Sequence, residues 1–505
     1  MKLYETLAET IRRQILNGVM LPGEKIPSVR RASQQYQLSI STVIRAFLLL
    51  ESQGYIESRP QSGYFVRTPQ NAPAAPTVAT APQALPASRL PAANTPVELV
   101  LHNLRSINCN ARIPLGSPYP DPALFPSMRI SQLAQGFYKR REHAQLIGVL
   151  PPGNAELIRQ IARRHLQTGL PVQPGEIIIT QGATEALQLC LHAIARPGAA
   201  IAVESPTYYA LLHAIERAGM RALPIATDAD QGMDLPSLDR ALASGDVAGV
   251  AVMTNFQNPL GYVMPDARKQ ALVRLLAKHD LPLVENDVYG ELHFGEQRPR
   301  TAKSYDQDGR VLYCSSFSKS LTPEHHIGWT LPGRYRQAVE RLKFLNTVSM
   351  PAHPQRAVAE YLQSEGYDFH LRRLRKLLMQ RQRIMRAAVL RFFPAGTRCS
   401  EPQGGYLLWV TLPDGILALE LHALAQAAGI SVAPGDMFST DGAFRHCIRL
   451  NYSFPWEDGI EAAVRTLGEL CHGLLAGTAQ AAQPHYQAAR PLAAQAPAGG
   501  LINAR

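Results

Sequence analysis

The run Cys314-Ser315-Ser316-Phe317-Ser318-Lys319-Ser320-Leu321 sets one lysine behind two spaced hydroxyls. An amine sheltered in such a turn can condense with a carbonyl, and the hydroxyls suit an anion. Upstream, Thr180-Gln181-Gly182-Ala183-Thr184-Glu185-Ala186 follows an apolar run and opens a helical pattern. Its free backbone N–H groups would face an anion at the positive helix end. Glu204-Ser205-Pro206-Thr207-Tyr208-Tyr209 brings two aromatics, and Asn255-Phe256-Gln257-Asn258-Pro259-Leu260-Gly261 an asparagine on a tight turn. Tyr289 and Arg449, the latter in Ile448-Arg449-Leu450-Asn451, complete the set. Pyridoxal phosphate (PLP) makes five demands: an amine, an acid against the pyridine nitrogen, a donor to the ring oxygen, an aromatic over the ring and a phosphate cradle. The chain supplies most of them in order.

Positioning these groups takes an α/β domain. From about 97 to 472, short apolar runs alternate with amphipathic helices, the pattern of helices packed on a mostly parallel sheet. Ile177-Ile178-Ile179, Ile201-Ala202-Val203, Val250-Ala251-Val252 and Leu283-Val284 read as its buried strands. A small α+β subdomain is expected over about 380–472. Residues 68–96 are rich in Pro, Ala and Thr and read as an extended linker. The low-complexity stretch 473–505 reads as a disordered tail.

Residues 1–67 form a different module. Tyr4, Leu7, Ile11 and Ile15 recur at helical spacing, and Leu21-Pro22-Gly23 breaks the helix. Ser28 would cap a second helix, and Ser39 or Ser41 a third whose Val43, Phe47 and Leu50 share one apolar stripe. Thr42 and Arg45 are then left facing outward near the helix start, where a recognition helix meets base edges and phosphates. Gly54 to Val66 alternates as a two-stranded hairpin with Arg59-Pro60-Gln61-Ser62-Gly63 at its tip.

Pro27-Ser28-x-Arg30, Ser39-x-x-Thr42-Val43, Leu50-Glu51-x-x-Gly54 and Arg59-x-x-x-Gly63-x-Phe65-Val66 resemble the GntR-type winged helix along the whole module. The resemblance implies DNA contacts at Arg30, Thr42, Arg45, Arg59 and Gly63. Where that family often has arginine after the Ser39 position, this chain has Ile40.

The larger part resembles the fold-type I aminotransferases, and the two parts together resemble the MocR subfamily of GntR regulators, over about 1–67 and 97–472. By that resemblance Lys319 is the Schiff-base lysine, Asn258 and Tyr289 reach the ring oxygen, and Tyr208 (with Tyr209 as the alternative) stacks on the ring. Gly182, Ala183, Thr184, Ser316 and Ser318 lie near the phosphate, and Arg449 takes a ligand carboxylate by a bidentate pair. Gln403-Gly404-Gly405-Tyr406, Trp409-Val410 and Ala433-Pro434-Gly435 resemble the family's small domain.

Three positions depart from the pattern. The aspartate that faces the pyridine nitrogen comes from a Glu-Asp-Asp segment, and here the run is Glu285-Asn286-Asp287. Asn286 cannot hold a proton on the ring nitrogen by charge pairing, and strand alternation points Asp287 to the other face. Past Lys319, the pattern Pro-Gly-x-Arg-x-Gly has become Pro323-Glu324-His325-His326-Ile327-Gly328, so His326 replaces the phosphate arginine beside an added acid. The tyrosine that such enzymes bring from the partner subunit is missing from Gly148-Val149-Leu150-Pro151-Pro152-Gly153.

The 505 residues carry a net charge of +11, which suits a polyanion partner. Residues 1–67 hold nine Lys or Arg against five acids. The excess is therefore not confined to the winged helix. Six cysteines without paired or metal-like spacing suit a reduced compartment. Neither a leader-like apolar region nor a run of spanning length appears, so a soluble, cytoplasmic protein is expected. His325-His326 has no carboxylate or cysteine partners in its pattern, and no metal is expected. The arginine-rich stretch from Arg372 to Arg386 reads as a basic helix with a solvated face. The sequence thus points to a DNA-binding regulator that dimerises through its aminotransferase-like domain and senses PLP or a PLP–amine adduct, with a small amine or amino acid as effector and little turnover. The rival is a working PLP aminotransferase carrying a DNA-binding arm.

Overall fold

The computed structural model describes residues 2–60, 62–67, 100, 104, 113–139, 149–364 and 366–477. The linker expected over 68–96 and the tail beyond 477 lie outside the described residues. The chain divides into two compact units, Met1–Pro86 and Ala87–Arg505.

In the first unit, three helices, α1 (Leu3–Leu16), α2 (Val29–Tyr36) and α3 (Ile40–Ser52), precede a hairpin of β1 (Ile56–Arg59) and β2 (Gly63–Val66). Ser28 Oγ accepts from the Arg31 amide at 3.3 Å, and Ser39, of the two candidate caps, accepts from Thr42 at 3.2 Å. These bonds satisfy amides that the first turn leaves free. Leu7, Ile11, Val43, Phe47 and Leu50 are buried together. Phe47 meets Tyr64 edge-on at 5.1 Å, pinning the hairpin to α3. Arg59 pairs with Gly63, whose φ of +97° suits glycine at the wing turn.

In the second unit, eight strands form one sheet in the order β3-β10-β9-β8-β7-β4-β5-β6. They are β3 (Ile178–Gln181), β4 (Ala200–Ser205), β5 (Arg221–Asp228), β6 (Gly232–Met233), β7 (Val247–Val252), β8 (Leu283–Asn286), β9 (Val311–Ser316) and β10 (Ile327–Leu331). From β5 through β4, β7 and β8 to β9 the pairing is parallel. Strand β10 runs antiparallel between β9 and β3. The chain moves outward from β4 to β5 on one side and from β7 to β9 on the other. That change of direction opens a crevice at the carboxyl ends of the strands, the usual ligand position in such sheets.

A second sheet, antiparallel and ordered β11-β12-β14-β13, builds the small subdomain from β11 (Arg398–Cys399), β12 (Leu407–Thr411), β13 (Ala433–Pro434) and β14 (Cys447–Asn451). The helix Gly366–Phe392 runs unbroken through residue 380, where the subdomain was expected to begin. The last helix, Asp458–Leu475, continues past residue 473, the expected start of the tail, because Leu474 still packs on the core. The basic helix is not a purely solvated face: Arg372 and Arg373 are exposed, but Arg375 Nε donates to the Glu291 carbonyl at 2.7 Å. Arg381 reaches the Ser453 carbonyl, and Arg386 pairs with Glu401 at 3.3 Å.

Candidate functional site

Residues beyond the ends of β7, β8 and β9, the turn at 116–120 and the small subdomain meet in one connected set. Lys319 Nζ donates to the Pro118 carbonyl at 2.9 Å, and Tyr406 Oη donates to the same oxygen at 2.9 Å. The Tyr406 ring stands edge-on to Tyr289 at 5.4 Å, and Tyr406 and Asn258 lie close enough to the Tyr289 hydroxyl to act on its acidity. Asn258 Oδ1 accepts from Arg449 Nη1 at 3.3 Å, while Arg449 Nη2 donates to the Gly116 carbonyl at 2.8 Å. Tyr208 precedes the helix Tyr209–Arg217 and lies partly buried. Tyr209 packs on Phe438 at 5.7 Å with the Arg449 guanidinium 6.0 Å from its ring centre, and the Tyr208 ring lies 4.9 Å from it.

Asn286 ends β8, opposite Cys314 of β9. It is buried, and its Oδ1 has no partner. Asp287 faces the other way. Its carboxylate accepts from Arg298 at 2.5 Å, Tyr313 at 2.9 Å and Asn255 at 3.1 Å. With those bonds made, Asp287 is not available to take the place of the missing acid at the Asn286 position.

The anion end lies where β10 passes the start of the helix Gly182–Ile194. That helix has no side-chain cap, so the amides of Gly182, Ala183 and Thr184 open its positive end. Gly182 has φ +70°, and Gly328 lies so close that a Cβ on it would sit 2.4 Å from the Gly182 backbone. Gly328 also pairs with Ser316, which is buried, as is Ser318. His326, exposed at φ +47°, brings Nδ1 to 3.7 Å from where a Gly182 Cβ would stand. The imidazole thus stands beside the helix start.

The electrostatics suit a lysine that reacts as a free amine. Burial, reinforced by the Arg449 charge, pulls the Lys319 amine down to about 7. Arg449 is fully buried, its Nε has no partner, and its other described contacts are carbonyl oxygens and aromatic rings, with Phe438 at 5.2 Å. A buried cation held this way is suited to an incoming carboxylate. For PLP, the amine, the uncapped helix start and the two unpartnered polar atoms fit a bound group. By the family resemblance Asn286 would face the ring nitrogen with an amide, where transamination favours a carboxylate.

On the winged helix, Arg30 and Arg45 are exposed. Thr42 is half-buried, with its hydroxyl 2.8 Å from Ser39 Oγ, so it belongs to the capping cluster as well as to the helix start. Arg59 pairs with Glu57 at 2.7 Å and lies 4.4 Å from the Phe65 ring centre. Among the described residues no cluster of His, Cys, Asp or Glu could hold a metal ion. None of the described helices is long and apolar enough to cross a membrane.

Sequence reasoning missed Pro118, Tyr119 and Gly116. Tyr119 places its ring centre 4.3 Å from Lys319 Nζ. The only local signal was a Gly-Ser-Pro-Tyr-Pro turn at 116–120, and nothing in it names a partner some 200 residues away.

Comparison with known proteins agrees with both units. Residues 137–467 match the family model "Aminotransferase class I and II", and residues 3–66 match "Bacterial regulatory proteins, gntR family". The chain therefore belongs to the class I and II aminotransferase family and, with its gntR unit, has the architecture of MocR-like transcriptional regulators. It is 41% identical over 470 residues to the uncharacterized HTH-type transcriptional regulator YdcR of Escherichia coli, covering 93% of this chain and 99% of the relative. YjiR of the same organism, also named an uncharacterized HTH-type transcriptional regulator, is 35% identical over 93% of this chain and 98% of its own. The kynurenine aminotransferase of Pyrococcus horikoshii, solved in complex with PMP, superposes with a TM-score of 0.68 at 29% identity, over 73% of this chain and 93% of that one.

Proposed function

We propose that this regulator uses its aminotransferase-like unit as a sensor of PLP, or of a PLP–amine adduct, and as its dimerisation domain, with little or no turnover. The observation that carries the reading is the divided pair at the end of β8. Asn286 occupies the ring-nitrogen position, and Asp287 is bonded to Arg298, Tyr313 and Asn255 on the opposite face. Bound PLP supplies an aldehyde that condenses with amines and a ring that draws electrons from them.

The chain's own residues would bind and orient it. Lys319 offers the amine, and Gly182, Ala183, Thr184, Ser316 and Ser318 the cradle. His326 would stand near its phosphate, Asn258 and Tyr289 would reach its ring oxygen, and Tyr208 would stack on its ring. Arg449 would hold the carboxylate of an amino-acid effector. An amide at Asn286 keeps the ring aligned without holding a proton there, which favours capture over turnover. Two winged helices on one dimer would address paired half-sites, and ligand binding would act by shifting the populations of DNA-competent arrangements.

PLP titration into the full-length protein tests this reading. An absorbance band near the visible edge that Lys319→Ala abolishes supports it. No band at saturating PLP overturns the sensor reading and leaves the unit a scaffold. Steady conversion of amino acids to keto acids overturns the expectation of little turnover and favours the aminotransferase.

A further inference from the structure

Helix α3 has two chemically different faces. Val43, Ala46, Phe47 and Leu50 are buried and hold it in the core of the first unit. Ile40, Ser41, Ile44, Arg45 and Leu48 are all exposed. At 100° per residue these five fall within an arc of about 140°, one continuous outer surface. Three of them are aliphatic, with Ile40 50%, Ile44 39% and Leu48 52% exposed. Scattered exposed aliphatics need no explanation. A ridge at i, i+4 and i+8 on one helix is a built surface.

Charge is arranged around this ridge. Arg45 is the one charged residue on the outer face, while Arg30 and Arg31 lie on α2 and Lys25 and Arg59 beside the wing. Basic groups on neighbouring elements suit phosphates on either side of a groove. The surface between them is left to aliphatic side chains. That surround of cations points to duplex DNA as the occupant, in preference to a second copy of this equally basic unit. In the major groove, apolar side chains have a specific partner among base edges, the thymine methyl group. The two isoleucines nearest the helix start, the end that reaches base edges in helix-turn-helix proteins, are Ile40 and Ile44.

We propose that Ile40 and Ile44 read thymine methyl groups in the operator half-site, so that this regulator selects its DNA partly by apolar contact. The proposal rests on α3 being the recognition helix, and it can fail separately from that reading.

The experiment uses full-length protein. Preferred sites are selected from a random duplex library, and each thymine common to them is then replaced by deoxyuridine, which removes only the methyl. For the wild type, replacement at two positions should lower affinity about fourfold each, the equivalent of about 0.8 kcal/mol for one buried carbon. Ile40→Ala and Ile44→Ala should each weaken binding to the thymine site and become indifferent to deoxyuridine at one of those positions. Both residues are exposed, and unchanged thermal midpoints confirm that the variants fold. Binding that ignores deoxyuridine in the wild type overturns the methyl assignment and leaves DNA binding intact. Variants that bind DNA normally but show a smaller mass by light scattering place a protein contact on this face and overturn the proposal. Failure to bind any duplex overturns the recognition-helix reading along with it.

Discussion

The amine of Lys319 donates to the carbonyl oxygen of Pro118 at 2.9 Å, joining the end of β9 to a segment 201 residues earlier. Tyr406 shares that oxygen, and through Tyr289 and Asn258 the contacts continue to Arg449. One carbonyl therefore fixes both the amine and one end of the tyrosine pair that leads to the buried arginine.

The Lys319 amine should capture an aldehyde with a pH dependence of its own. A neutral amine is the nucleophile, and burial with the Arg449 charge sets its midpoint at about 7. Uptake of pyridoxal phosphate, followed by absorbance, should therefore accelerate as pH rises from 6 to 8. Arg449→Met removes the repelling charge and should move that midpoint upward.

Restoring the missing charges should tighten cofactor binding. Asn286→Asp lets the ring nitrogen form a charge-assisted bond, worth about 1.5–3 kcal/mol, or roughly tenfold or more in affinity. His326→Arg should add a smaller gain, since the site is exposed. Equilibrium titration of the single and double variants checks both.

The pair on the opposite face should matter to stability. Asp287 is buried and Arg298 nearly so, at 2.5 Å separation. Arg298→Met leaves the carboxylate buried with its countercharge gone, a loss of about 3–5 kcal/mol, measurable by urea denaturation.

Glu204 should make stability depend on pH. Its carboxyl is buried beneath the crevice, where it accepts from Tyr262 and from the Met253 amide at 2.9 Å, and burial pushes it up to about 8. Between its ordinary value and 8 the folded state holds more protons than the unfolded state, so stability falls as pH rises through 8. Glu204→Gln should flatten that fall, giving a variant with a higher thermal midpoint than the wild type at pH 9 and no such advantage at pH 5.

On the winged helix, Arg45→Ala should weaken operator binding in gel shift. If Arg45 meets a phosphate, the loss should be similar across sequences and the salt slope should shrink by about one.

Much of the fold was legible because motifs such as Thr180–Ala186 and Glu204–Tyr209 sit where a strand ends and a helix begins, and both periodicities are strong there. The opposed faces of Asn286 and Asp287 followed from strand alternation alone. What held Asp287 did not: Arg298, Tyr313 and Asn255 come from three separate stretches. The same limit hid Pro118 and Tyr119 from Lys319. The arginine-rich helix misled for a related reason, since charge on a helix says nothing of the carbonyls and carboxylates within reach of Arg375, Arg381 and Arg386.

The contact of Gly328 with Gly182 leaves no room even for a methyl group. Strand β10 is paired on both edges, so the helix start rests on a strand held on both sides instead of on a loop. The amides at the start of that thirteen-residue helix are therefore presented from a fixed backing, and any side chain at Gly328 would push them out of place.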